Sequence, residues 1–314
     1  MGRPRLPPEP TDDRAGALTG HTPGPAASQC RAPDWQISRF QLRLSRPLVM
    51  GIVNVTPDSF SDGGRHGTAA AAMTHCDTLL REGADILDIG GESTRPDARP
   101  PDGAEELARV MPVLRHAVSL GVPVSVDTSQ PELMRRALDS GADIVNDVRA
   151  LQRPGALDAV AAHPLAGVCL MHLRGEPDTM QSLTDYTDVV AEVCAFLRQR
   201  LLAVSAAGVA LNRIVLDPGI GFAKTADHNW QLMRRQAELM SLGRPLLVGW
   251  SRKGSLGRLT GRDVGQRMAA SVAAALVSIQ RGAAIVRVHD VAQTVDAIKV
   301  WQAAGMLPKQ TWND

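Results

Sequence analysis

Residues 83–96, GADILDIGGESTRP, decide the fold. Gly83 stands where a helical pattern stops, and glycine supplies the left-handed conformation that terminates a helix. A β-prone run over 85–90 follows at once, and polar residues take over at Ser93 and Thr94. The same order recurs at Gly121-Val122-Pro123-Val124, Gly141-Ala142-Asp143-Ile144, Gly243-Arg244-Pro245-Leu246 and Gly282-Ala283-Ala284-Ile285. Each unit is αβ. The pattern predicts strands near 48–54, 85–90, 122–127, 142–146, 166–171, 213–217, 245–250 and 284–288.

Parallel strands buried on both faces read as continuous Val, Ile and Leu runs, so a polar residue at the carboxyl end marks where the strand leaves the core. Eight such ends occur in order: Asn54, Ser93-Thr94, Asp127, Asn146, His172, Asp217, Ser251-Arg252-Lys253 and Arg287-His289. Eight alternating units predict a single-domain (β/α)8 TIM barrel, whose sites lie at the carboxyl ends of the strands. An open doubly wound sheet gathers its site at one switch point and leaves eight polar ends without a common destination. Two helix starts are also legible. Asp102 followed by Glu105 reads as a capping box, and Ser129 ahead of Pro131-Glu132 reads as the opening of another helix.

The 314 residues are 44% hydrophobic and 21% charged, enough apolar material for a large core. Lys plus Arg number 34 against 33 acidic residues, a balance that offers no basic surface for nucleic acid or anionic membrane. A small-molecule partner is favoured. Cys30, Cys76, Cys169 and Cys194 show no paired spacing and suit free thiols in a reducing cytoplasm. The apolar stretch from Met268 to Ile279 is roughly half the ~20 residues of a membrane span and reads as a buried or interface helix. Residues 1–34 read as a disordered tail ahead of a catalytic domain over 35–314, because the first 33 hold seven prolines and four glycines and show no apolar periodicity. No apolar core of a secretory signal follows the early arginines.

The strand ends divide by chemistry. Residues 54–64, NVTPDSFSDGG, are too rich in turn formers to continue a strand; Asn54 offers an oxygen suited to Mg2+, and Phe60 is better placed to meet an aromatic ligand than a core. GESTRP at 91–96 joins hydroxyls and an arginine that can grip an oxyanion. In VRVHDV at 286–291, Arg287 and His289 are two apart and read as a cationic pair for one phosphate. Asp127, Asn146, Asp217 and Lys253 offer the acceptors and the long cation that a fused heterocycle would need, with Phe222 available to pack on a flat ring. Strand-end aspartates also cap helices or pair with arginine. Lys224 reads as a solvated loop charge, His172 as structural support, and His75, His116, His163 and His228 as lone helix or loop histidines.

NVTPDSFSDGG, GESTRP, SVDTS, ADIVNDV, LMH, LDPGIGFAK, SRK and VRVHDV stand here in the order in which they occur in dihydropteroate synthases, and the chain resembles that family over about residues 47–305. The resemblance implies condensation of 6-hydroxymethyl-7,8-dihydropterin diphosphate with p-aminobenzoate. It implies that Asp127, Asn146, Met171, Asp217, Phe222 and Lys253 hold the pterin, that Asn54, Thr94, Arg287 and His289 meet the diphosphate, and that Asn54 binds Mg2+. Phe60, Pro96 and Ser251 resemble positions shaping the p-aminobenzoate pocket, which is the sulfonamide target; Arg287, His289, Lys253 and Thr94 would carry the catalysis. A homodimer is implied. Asp97 stands where the family usually carries glycine, and Gln130 replaces a common lysine. A methyltetrahydrofolate-binding methyltransferase barrel would keep Asp127, Asn146 and Asp217, and a non-catalytic pterin-binding paralogue would keep every motif.

Overall fold

The computed structural model describes residues 34–56, 64–92 and 101–306. Phe60, Thr94, Pro96, Asp97 and the proposed tail before Asp34 lie outside the described residues. Among the described residues a hairpin comes first, β1 (Trp35–Ile37) against β2 (Phe40–Leu42). Then follow β3 (Leu48–Asn54), α1 (Gly64–Arg81), β4 (Ile86–Gly90), α2 (Gly103–Ser119), β5 (Val124–Asp127), α3 (Pro131–Asp139), β6 (Ile144–Asp147) and α4 (Ala156–Ala161). The second half runs β7 (Gly167–Met171), α5 (Val189–Ala206), β8 (Ile214–Asp217), α6 (Ala226–Arg234), α7 (Gln236–Met240), β9 (Leu246–Val248), α8 (Gly254–Thr260), α9 (Met268–Gln280), β10 (Ala283–Val288) and α10 (Val291–Ala303). Strands β3 to β10 pair in chain order, and β10 closes on β3 as a parallel barrel. The predicted (β/α)8 architecture is the observed one.

The glycines that end the helices do so in the left-handed region, with Gly83, Gly121, Gly141, Gly243 and Gly282 all at positive φ. The two predicted helix starts need correction. Asp102 caps α2 by accepting from the Glu105 N–H at 2.7 Å, but the Glu105 carboxylate turns to Arg109 instead of reaching back. The cap of α3 is Gln130, not Ser129, and its side chain makes no capping bond; the Ser129 hydroxyl is spent on Asp147.

Alternation along the strands positions the site. Ile86, Ile144, Cys169, Val215 and Ile285 belong to one buried cluster inside the barrel. Successive side chains on a strand point to opposite faces, so residues two further on face the same interior. Those residues are Asp88, Asn146, Met171, Asp217 and Arg287. The site is therefore the layer above an apolar plug.

The sequence pattern missed the hairpin, whose two three-residue strands are too short to show a period. It closes the bottom of the barrel. Trp35 and Ile37 are fully buried among the strand starts, and the Trp35 indole donates to the Arg213 carbonyl at 2.8 Å. Ile37 lies so close over Gly167 that a Cβ there would overlap Ile37 Cγ2.

Candidate active site

Arg287 occupies the middle of the polar layer. Its Nε donates to Asp88 Oδ2 at 2.6 Å and its Nη2 to Asp127 Oδ2 at 2.7 Å. Asn146 Nδ2 donates to the same Asp88 oxygen at 3.2 Å, so three strand ends are tied through one fully buried carboxylate. Asp88 was not singled out from the sequence. Its signal was a carboxylate at an inward position of an otherwise apolar run, two residues after Ile86 and two before Gly90. For Asp127, the alternative of a strand-end aspartate paired with arginine is the arrangement observed.

Asp217 ends β8 and is buried, with Oδ1 accepting from the Gly219 N–H at 2.7 Å. Burial pushes its carboxyl up to about 6, against the opposing pull of that N–H and of the Lys253 charge. Burial likewise raises the Asp127 carboxyl, and the Arg287 charge works against it. The Lys253 ammonium is brought down to about 8 by desolvation, offset first by Asp217. Its Nζ sits 4.1 Å from the centre of the Phe222 ring, a cation over an aromatic face. Phe222 packs with Met171, Val148, Leu173, Met180 and Ala223, forming an apolar wall beside the carboxylates.

The last strand end differs from its sequence reading. His289 is no cation at neutral pH, because burial, followed by the Arg252 and Arg287 charges, lowers its imidazole to about 3. Its Nδ1 lies 2.9 Å from Ser251 Oγ, and the same oxygen accepts the His289 N–H at 3.1 Å. The pair thus joins one permanent charge to one neutral hydrogen-bonding ring. Between Ser251 and Lys253, Arg252 takes a φ of 59°. That left-handed turn is held by Ser271 Oγ on the Arg252 N–H at 2.9 Å, by Arg267 on its carbonyl at 3.1 Å, and by Asp290 on its guanidinium at 2.6 Å.

Two further residues were misjudged or missed. Lys224 is buried and hydrogen-bonded, not solvated. Arg149, buried in the loop after β6, grips Glu92 at 3.1 Å, Glu176 at 2.7 Å and Ser129 at 2.8 Å, and so braces the last described residue before Ser93. Three of the other histidines serve locally: His116 meets Asp77 at 2.9 Å, His163 meets Asp139 at 3.0 Å, and His228 completes the capping box of α6 with Thr225. Cys76, Cys169 and Cys194 are free thiols, and no described helix is long and apolar enough to cross a membrane.

A family model described as pterin binding enzyme matches residues 50–289, from within β3 to the residue after β10. The dihydropteroate synthase of Neisseria meningitidis serogroup B is 52% identical over 278 residues, covering 87% of this chain and 98% of that protein. This chain belongs to the dihydropteroate synthase family. A second member, from Escherichia coli, is 47% identical over 263 residues, covering 83% of this chain and 93% of its own length. Among solved dihydropteroate synthases, that of Xanthomonas albilineans with 4-aminobenzoic acid superposes with a TM-score of 0.80 at 54% identity, covering 85% of this chain and 96% of that one. That of Burkholderia cenocepacia complexed with 7,8-dihydropteroate gives a TM-score of 0.80 at 47% identity, covering 88% and 97%.

Proposed function

We propose that this member of the dihydropteroate synthase family condenses 6-hydroxymethyl-7,8-dihydropterin diphosphate with p-aminobenzoate, forming 7,8-dihydropteroate and diphosphate. The observation that carries the reading is the convergence of Asp127, Asn146, Asp217 and Lys253 on a layer that also holds Arg287, beside the Phe222 and Met171 wall. The ligands of the related structures, 4-aminobenzoic acid and 7,8-dihydropteroate, are the second substrate and the product of this reaction.

The heterocycle enters with its ring N–H and exocyclic amine toward the carboxylates, and Lys253 donates to a ring acceptor. Met171 and Phe222 line it. One oxygen each of Asp127 and Asp217 is already committed, to Arg287 and to the Gly219 N–H, which leaves the second oxygen of each for the ligand. Arg287 and His289 receive the diphosphate. Arg287 is paired with two carboxylates, so an arriving diphosphate competes with Asp127 for the guanidinium.

The C–O bond from the methylene to the diphosphate breaks first, its electron pair leaving with the phosphate oxygen. The electron-rich dihydropterin supports the positive methylene, the arylamine nitrogen forms the new C–N bond, and its proton leaves to solvent or to diphosphate. A neutral arylamine is already nucleophilic, so no general base is required. The protein's tasks are to stabilise charge on the leaving group and to exclude water from the cation.

Asn54, half-buried at the end of β3, is the described residue that would hold Mg2+. Among the described residues no group of three His, Cys, Asp or Glu side chains is placed to ligate a metal. A single amide oxygen still fits Mg2+, which keeps several waters and takes phosphate oxygens as ligands. When bound, the ion supplies positive charge to the diphosphate. Thr94, Phe60, Pro96 and Ser251 complete the diphosphate and p-aminobenzoate contacts in this reading, and sulfonamides compete for the second pocket. The Ala-rich α9, with Met268 exposed at its start, is the proposed homodimer face.

The experiment is to supply both substrates and Mg2+ to purified protein and follow diphosphate and dihydropteroate together. Equal formation of the two supports the reaction, whereas pterin binding without product identifies a non-catalytic paralogue. Arg287→Ala is expected to lower kcat/KM for the pterin diphosphate about a hundredfold, the scale of losing a charge-assisted contact to the leaving group.

A further inference from the structure

His172 and Lys224 have no part in the chemistry above, yet both are buried and they touch. Lys224 Nζ lies 2.8 Å from His172 Nδ1, 3.0 Å from the Gly219 carbonyl and 2.9 Å from the Phe222 carbonyl. An ammonium has three donors and no acceptor, and these three acceptors saturate it; a neutral amine would turn a lone pair on one of them. The geometry therefore calls for the charged form, although burial pushes Lys224 well below its ordinary value. Asp217 offsets that charge. The donated proton also settles the histidine, whose Nδ1 must be bare and whose hydrogen sits on Nε2.

These contacts close a ring of backbone. The loop after β8 runs from Asp217 to Lys224, and Lys224 curls back onto two carbonyls of that same loop. His172 is a fixed seat, since its N–H donates to the Asp217 carbonyl at 2.9 Å and the Phe196 ring packs edge-on at 4.9 Å. The closure compresses the chain. Ala223 takes a φ of 50°, and at Gly219, with a φ of 67°, a Cβ would collide with the His172 carbonyl oxygen. Backbone held in a sparsely populated region persists only where surrounding contacts impose it. The side chains this loop presents are Asp217 and Phe222, the carboxylate and the flat ring of the proposed pterin site.

We propose that Lys224, seated on His172, is a positioning residue that locks the Asp217–Phe222 loop in its pterin-receiving form. The proposal rests on the pterin reading of that site. The Lys224 donors are spent on His172 and on the loop's own carbonyls, so removing either residue should weaken pterin affinity more than the rate of the bound complex.

The test measures the affinity for 6-hydroxymethyl-7,8-dihydropterin by calorimetry, and kcat and KM for its diphosphate, in wild type, K224M, H172N and H172L. Asparagine carries a carbonyl oxygen near the position of Nδ1, and leucine has no acceptor there. Both substitutions lose the Phe196 ring contact, so their difference isolates the hydrogen bond to Lys224. K224M and H172L are expected to weaken pterin binding and raise KM about tenfold, the loss of a charged hydrogen bond, with kcat changed less than about threefold and H172N close to wild type. Wild-type affinity in K224M overturns the proposal, as does H172N binding no better than H172L. Should K224M fail to fold, the two His172 variants make the same comparison. Wild-type protein that binds pterin without making product overturns the proposed reaction and not the clamp, which is still decided by the affinities; wild type that binds no pterin overturns both.

Discussion

Asp217 and Lys253 are displaced toward each other in pKa by the same cause, desolvation at the mouth of the barrel. The sign of each displacement sets a limb of the pH profile. Asp217 accepts from the ligand only when ionised, so kcat/KM for the pterin diphosphate should rise with pH through about 6. Lys253 donates only when charged, so the same quantity should fall as pH rises through about 8. A profile in kcat/KM is the measurement, because it reports the free enzyme. Asp217→Asn should flatten the acid limb while lowering the plateau; an unaltered acid limb in that variant would transfer the titration to another group. Several of these roles are visible from residue type alone. That Asp127, Asn146, Asp217 and Lys253 suit a heterocycle follows from their donors and acceptors, but the buried state of Lys224 and the neutrality of His289 do not, because both depend on what packs around them.

At the scale of elements, the hairpin and the barrel floor fit by mutual exclusion. Gly167 starts β7, and Ile37 fills the place of its missing side chain. Gly167→Ala should therefore destabilise the protein by about 1–3 kcal/mol, the cost of overpacking a filled core. Urea unfolding of G167A, I37A and the double variant would check this. In the double variant the added methyl enters the space that Ile37 vacates, so the two effects should fail to add. Additive losses would mean that the two positions do not share one space. The helix-ending glycines and the strands were readable as elements, since each strand carries its own apolar run. The caps were less so. Glu105 had a choice between the backbone of its own helix start and Arg109, and Ser129 between a cap and Asp147; in both cases the competing partner lies beyond the local pattern.

For the whole molecule, the boundary between dispensable and required chain is predicted to fall just before Trp35. The strands of the barrel close on one another, and β1 is the first described element whose side chains enter the apolar plug. Removing residues 1–33 should leave kcat, KM and the thermal midpoint close to those of the full chain. Removing residues 1–43 exposes the plug, because Trp35 and Ile37 go with the deleted segment, and the loss of a buried tryptophan alone costs about 3–5 kcal/mol. Thermal unfolding of the two truncations, followed with activity, separates these outcomes. A shorter truncation that abolishes activity would assign the first segment a role in the site.

The eight barrel strands and the polar residues that follow most of them were determined by the sequence itself, because buried parallel strands must be apolar and polar residues mark where a strand leaves the core; Asp88, inside β4, is the exception. GADILDIGGESTRP holds one such unit, from helix stop to polar end, in fourteen residues. Only the tertiary structure decided which of those ends touch. Asp88 meets Arg287 across 199 positions of chain, His172 meets Lys224 across 52, and the hairpin at Trp35 finds Arg213 across 178. No local period encodes such pairings. They arise when closure of the barrel brings distant strands into one layer, and burial in that layer then sets the charge states on which the chemistry depends.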